Sequence, residues 1–188
     1  MTVTNFIDRL KESHDAYTAM RRDVISIASE MQTLSKRAIF AFQRGEGKEG
    51  AGLIARAEEL YAKVLKMAET NPRITNEGAF RAALEEHAEA VFFRQVLENG
   101  EVSFIEGLDA ETQIGGLSDT IGEVVRRMTV LVTEGDFDGA RALKKSVEPI
   151  MEGLNRMDYR GGLRAKYDQA VRHYRKTEDI LYDISFKR

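Results

Sequence analysis

Four carboxylates at helical spacing are the residues of this chain best placed to do chemistry. Glu86 and Glu89 lie in Leu84-Glu85-Glu86-His87-Ala88-Glu89-Ala90-Val91-Phe92-Phe93, a run otherwise composed for burial. On a helix the two share one stripe, which continues back to Ala82 and Ala83 and forward to Phe93 without a basic residue. Asp119 and Glu123 stand one turn apart in Leu117 to Met128, with Gly115 or Gly116 one turn before them and Arg127 one turn after. The two stripes are read as facing each other. At separations of about 6 Å and an effective dielectric near 20, each pair of charges would then repel by about 3 kcal/mol, so the group must share protons or a cation. Oxygen-only ligation selects a hard ion, and carboxylates that leave waters on the metal suit magnesium or manganese acting on phosphates.

Spacing alone does not single these acids out, since Glu-x-x-Glu recurs at Glu46/Glu49 and Glu98/Glu101. The apolar setting and the neighbouring glycines do. Gly115, Gly116 and Gly122 fall inside a predicted helix, where each costs about 1 kcal/mol relative to alanine unless another helix or a ligand approaches closely. The alternative for Gly115 and Gly116 is a break in the helix. His87 lies about 160° around the helix from Glu89 and reads as a core or interface residue, not a ligand. None of His14, His87 and His173 follows a glutamate by three, which argues against a ferritin-like di-metal bundle. Lys36, Arg37, Arg44, Arg126, Arg127, Arg172, Arg175 and Lys176 are candidate phosphate contacts. Arg126 and Arg127, one turn beyond Glu123, come first, and Arg37 joins them as an expected nucleic-acid-binding residue.

The elements that must hold these groups are helical throughout. From Thr4 to Arg44 there is neither Gly nor Pro, and Phe6, Leu10, Tyr17, Met20, Val24, Ile27, Met31, Leu34, Ala38 and Ala41 recur at steps of mostly three or four. A helix of that length spans about 60 Å, more than one compact domain covers, so part of it is expected to meet another subunit. Gly45, Gly47, Gly50 and Gly52 predict the first loop. A second helix follows over about Leu53 to Thr70, and a third over about Asn76 to Glu98, closed at Asn99-Gly100. Asp109 is the expected cap of a fourth helix reaching Glu134-Gly135. A fifth, over roughly Asp138 to Met157, carries Pro149, which should kink or divide it. The last shows Leu163, Tyr167, Val171, Tyr174, Leu181 and Ile184 at core spacing, but Ile180, Tyr182 and Phe186 are apolar on other sides. No repeat or strand alternation interrupts the pattern, so residues 1–188 read as one all-α domain.

Composition excludes several classes of function. Without cysteine there are no disulfides, thiolate metal sites or cysteine nucleophiles. Asp8, Arg9, Lys11 and Glu12 precede any long apolar run, and no apolar stretch reaches membrane-spanning length, so a cytoplasmic protein with no membrane partner is expected. A formal charge of −3 gives no overall attraction to nucleic acid, so any such binding requires local concentration of the basic residues.

Four segments carry a resemblance. Ser35-Lys36-Arg37-Ala38-Ile39-Phe40, Glu86-His87-Ala88-Glu89-Ala90-Val91, Asp119-Thr120-Ile121-Gly122-Glu123-Val124-Val125-Arg126, and Lys166-Tyr167-Asp168 through Glu178-Asp179-Ile180-Leu181-Tyr182-Asp183-Ile184-Ser185 resemble, in this order, the translin superfamily. The first three look like its nuclease branch, translin-associated factor X. Two departures are a short connection between the third and fourth helices and Gln113 in place of a tyrosine. The resemblance implies a helical subunit of a closed hollow octamer that binds single-stranded nucleic acid and cuts RNA with magnesium, with manganese able to stand in, at Glu86, Glu89, Asp119 and Glu123. The expected function is therefore a magnesium-dependent endoribonuclease acting on single-stranded or short RNA inside a homo-oligomer. The alternatives are a noncatalytic single-stranded nucleic-acid binder and a helical scaffold whose acids only form salt bridges.

Overall fold

The unbroken N-terminal periodicity becomes one helix, α1 (Val3–Gln43), in a computed structural model that describes residues 2–186. Its two halves differ. Val24, Ile27, Met31, Leu34 and Ala38 are buried, whereas Val3, Phe6, Ile7 and Leu10 remain 46 to 79% exposed, so the first half carries an apolar face that this chain leaves uncovered. The free half is anchored where Tyr17 Oη donates to Glu77 at 3.0 Å, Arg21 pairs with Glu77 at 2.9 Å and the Arg73 guanidinium lies 4.8 Å from the Tyr17 ring centre.

The expected glycine loop is much shorter than its composition implied. Gly45, at φ +77°, alone supplies the left-handed residue of the turn, and α2 begins at once (Gly47–Ala68). Gly50 serves packing instead: a Cβ there would stand 2.5 Å from the Phe42 ring, so its absence lets α2 close against α1. A 3₁₀ turn at Pro72–Asn76, capped by the Asn71 side chain accepting from Arg73 N, leads into α3 (Gly78–Asn99), which ends on left-handed Gly100. Asp109 caps α4 (Ala110–Glu134), accepting from Thr112 N at 2.9 Å. Pro149 does not divide α5 (Phe137–Leu154). The carbonyl it leaves without a donor belongs to Lys145, on the exposed side of the helix, where solvent is able to satisfy it. The chain ends in α6 (Gly161–Ser185).

The helices pack in a relay, α1 against α2 and α3, α3 against α4, and α4 against α5 and α6, around one continuous apolar cluster. Helix α4 is therefore central, and Ile121, Val124 and Met128 on it are fully or almost fully buried. The result is an all-α bundle with no strand among the described residues. Among those residues, no helix is long and apolar enough to cross a membrane.

A carboxylate seam between two helices

Glycine sets the distance between the two acidic stripes. A Cβ on Gly116 would lie 2.7 Å from Ala88 Cβ, 2.8 Å from Glu89 N and 2.9 Å from Glu85 O, and one on Gly115 would lie 3.2 Å from the Glu85 carboxyl carbon. Helix α4 therefore rides with its backbone on α3, uninterrupted, and the glycines mark close approach instead of a break. Thr120 continues the contact, donating to Gly116 O at 2.8 Å and reaching Glu89 O at 3.4 Å. The approach brings Glu86 and Glu89 of α3 within electrostatic range of Asp119 and Glu123 of α4.

The field at Glu89 records this arrangement. Burial, reinforced by Glu86, Asp119 and Glu123 and opposed by Lys166, pushes its carboxyl up to about 8. Burial also raises Glu86; Lys36 at 3.6 Å and Gln32 oppose the shift, while Asp119 adds to it. The other acids are neutralised in pairs. Lys166 of α6 donates to Asp119 and stands 3.1 Å from Glu85, and although burial acts to lower its ammonium, these two partners hold it above its ordinary range. Gln43 Nε2 donates to both Oε2 and the carbonyl of Glu123 at 2.8 Å, and Arg126 Nη1 lies 3.8 Å from the same carboxylate. Among the described residues, no lysine or arginine forms an ion pair with Glu89. As the side chains stand, no three His, Asp or Glu among the described residues gather closely enough to hold one ion. The donor set nevertheless suits a hard cation: it is all carboxylate, and its most buried member has been driven toward protonation by burial and, after that, by the others. Beside the seam, Lys36, Ile39, Phe40, Glu86, Glu123 and Arg126 line a groove of about 200 Å³.

Residues 19–188 match the Translin family. The chain belongs to that family. Its fold is that of several solved structures: AfC3PO in complex with duplex RNA, with 23% identity, a TM-score of 0.87 and 97% of both chains covered; AfC3PO, with 23% identity, a TM-score of 0.86 and 97% and 98% covered; and apo-NeC3PO, with 19% identity, a TM-score of 0.85 and 97% of both chains covered. No curated protein matches the sequence.

Other candidate residues of this translin-family chain take different places. Arg126 is exposed at the groove, and Arg37 is exposed on α1. Arg127 donates to Gln43 O at 2.9 Å and so ties α4 to the end of α1. His87 is a core residue, 2% exposed, its imidazole lowered to about 4 by burial and by Arg94. Gln113 is buried, donating to Leu108 O and accepting from Ile105 N at 2.9 Å, so at this position the side chain shapes the short loop before α4. Sequence reasoning missed Lys166, Gln43 and Glu85. A signal for Lys166 existed: it falls in register with Ala170, His173 and Thr177 on α6, a stripe of small and polar residues turned toward α4, where the His173 ring packs on Gly122.

Proposed function

We propose that this chain is a magnesium-dependent endoribonuclease of the translin-associated factor X type, cutting single-stranded or short RNA inside a closed homo-oligomer, most simply an octamer, in the cytoplasm. The observation that carries the reading is Glu89: a carboxyl raised to about 8 by burial and three neighbouring acids, with no ion-pair partner among the described residues, beside a groove in which Lys36 and Arg126 balance Glu86 and Glu123. Glu86, Glu89, Asp119 and Glu123 would hold the ion, with manganese able to replace magnesium. Bound there, the metal supplies a water of lowered pKa and neutralises charge on the scissile phosphate. The chain's residues do the rest. Lys36 and Arg126 draw the phosphate backbone toward acids that would otherwise repel it. Lys166 fixes the Asp119 carboxylate, and a glutamate of the α3 pair with a pKa near neutrality suits proton transfer at physiological pH. The AfC3PO fold in complex with duplex RNA supports RNA as the partner. The uncovered apolar faces of α1 and of α6, where Tyr182 and Phe186 are 66% and 70% exposed, support assembly.

The test is a cleavage assay on labelled single-stranded RNA with titrated magnesium. Asp119→Asn should lower the rate by more than about 100-fold, since even outer-sphere partners of a metal cost 10- to 100-fold. RNA binding should persist, as should a light-scattering mass well above that of one chain. An unchanged rate in Asp119→Asn would refute the assignment. The pairing of Lys36 with Glu86, Lys166 with Asp119 and Arg126 with Glu123 favours a second reading, a noncatalytic binder of single-stranded nucleic acid. Under that reading magnesium produces no cleavage while RNA is still bound.

A further inference from the structure

Most of the large apolar side chains left in solvent lie away from the acids: Val3, Phe6, Ile7 and Leu10 on the free half of α1, Phe104 in the loop before α4, and Tyr182 and Phe186 at the end of α6. Phe40 differs. It is 47% exposed, yet it stands in the wall of the groove that holds Glu86 and Glu123, with Lys36 one turn before it on α1. The Arg126 guanidinium lies over its ring, 5.1 Å from the centroid, while the same group stands 3.8 Å from Glu123. Two flat π surfaces, one neutral and one cationic, are thus presented together at the edge of the carboxylate seam.

Such a pair sorts the parts of a nucleotide by charge. A phosphate moving into the groove meets Glu86 and Glu123 and needs Lys36 or Arg126 to offset them, whereas the face of a base is uncharged and approaches without that penalty. Bases stack on aromatic rings and on guanidinium planes alike, and only an unpaired base has a free face, because a base inside a duplex is covered by its neighbours. We propose that Phe40 and Arg126 form a subsite for one unpaired nucleobase of an RNA strand, with Lys36 taking the adjoining phosphate, which places the backbone of that strand beside the four carboxylates. The proposal rests on the RNA-cleavage reading above and deepens it: the subsite makes the seam selective for single strands.

The chain contains no tryptophan, so Phe40→Trp introduces a unique fluorophore at the subsite. With metal chelated to prevent cutting, anisotropy of labelled single-stranded RNA should show binding weakened by roughly ten-fold or more in Phe40→Ala and Phe40→Leu, in line with the loss of one stacked base, and retained in Phe40→Trp with quenching of its emission. Binding of an RNA duplex should change less than two-fold or so in any variant. An abasic nucleotide walked along the strand should find one position where wild type loses the same factor and Phe40→Ala loses nothing further. Wild-type affinity in Phe40→Ala, or in Phe40→Leu, overturns the stacking subsite, as does a fall in assembly mass, which would make Phe40 a subunit contact. If those results come with intact magnesium-dependent cleavage, the subsite alone is lost. Failure of wild type to bind any RNA overturns the subsite and the reading beneath it.

Discussion

Helix α3 buries two titratable groups two positions apart, and their fates differ with their neighbours. His87 is enclosed in the core, and burial together with Arg94 lowers it to about 4; Glu89 faces α4, and burial together with three acids raises it to about 8. Both groups are driven neutral by loss of water. At His87 the response is complete, because a neutral imidazole is an acceptable core side chain and the adjacent charge is a single arginine. At Glu89 three acids outweigh the single opposing charge of Lys166, and protonation relieves only the most buried of them. A core residue is therefore recognised by a field that its own neutralisation satisfies, and a candidate ion site by one that it does not.

The comparison predicts different pH arms of stability in metal-free protein. The unfolded chain protonates His87 near 6.5 while the fold resists down to about 4, so this group withdraws stability as pH falls through that range. Glu89 acts in the opposite sense: its folded value of about 8 exceeds the ordinary 4.5, so the fold is favoured below 4.5 and progressively loses that advantage up to about 8. The two arms oppose each other between 4.5 and 6.5, which leaves pH 6.5 to 8 as the window where Glu89 acts without His87. There, at about 1.4 kcal/mol per pH unit, wild type should lose up to about 2 kcal/mol in chelator, and Glu89→Gln should lose far less. Denaturant melts at the two pH values check this. Parallel curves for the two proteins would mean that Glu89 is solvated and the contrast with His87 is false.

How much of this was legible in the sequence depends on the range of the interaction. The pairing of Glu86 with Glu89 and of Asp119 with Glu123 follows from helical period, as does the length of α1, because both are set within one element. The glycines of α4 were legible as a close approach, since a costly residue inside a helix requires a packing reason. The same logic failed at Gly47, Gly50 and Gly52, which cluster like a loop but lie in α2; Gly50 answers to the Phe42 ring, eight residues earlier on another helix. Gln43 was not legible, and Lys166 only as one member of a polar stripe on α6, because they reach the acids from the end of α1 and from α6, and no local period reports where two distant helices meet. The sequence thus revealed the charges of the seam, and Lys36 and Arg126 beside it, but not that Gln43 and Lys166 close onto Glu123 and Asp119.

Substitutions at glycine sharpen the distinction between the tight α3–α4 seam and looser packing elsewhere. Gly116→Ala should destabilise by about 1–3 kcal/mol, the usual cost of forcing an extra methyl into a packed contact, because two of the three atoms it would strike belong to the α3 backbone and cannot turn away. Gly52→Ala, facing open space within α2, should instead stabilise by about 0.5–1 kcal/mol. Urea midpoints measured side by side decide the matter. Equal effects at the two positions would show that α4 does not ride on α3 and that the acids are further apart than described.

The smallest effect is expected at Gly122, where the geometry looks equally crowded but the obstacle is of another kind. A Cβ there would stand 2.6 Å from His173 Nδ1 and 2.8 Å from its Cε1, both at the end of a side chain that can rotate. Removing a glycine from a helix interior returns about 0.5–1 kcal/mol, and displacing one imidazole whose Nδ1 has no hydrogen-bond partner gives up little in exchange. Stability of Gly122→Ala should therefore remain within about 1 kcal/mol of wild type. Burial, Lys176 and Arg172 hold the His173 imidazole below its ordinary range against the opposing charges of Asp119 and Glu123, so a displaced ring should show a changed titration by NMR even where the melting curve does not move. A loss as large as that of Gly116→Ala would place a rigid contact between α4 and α6 and extend the tight seam to a third helix.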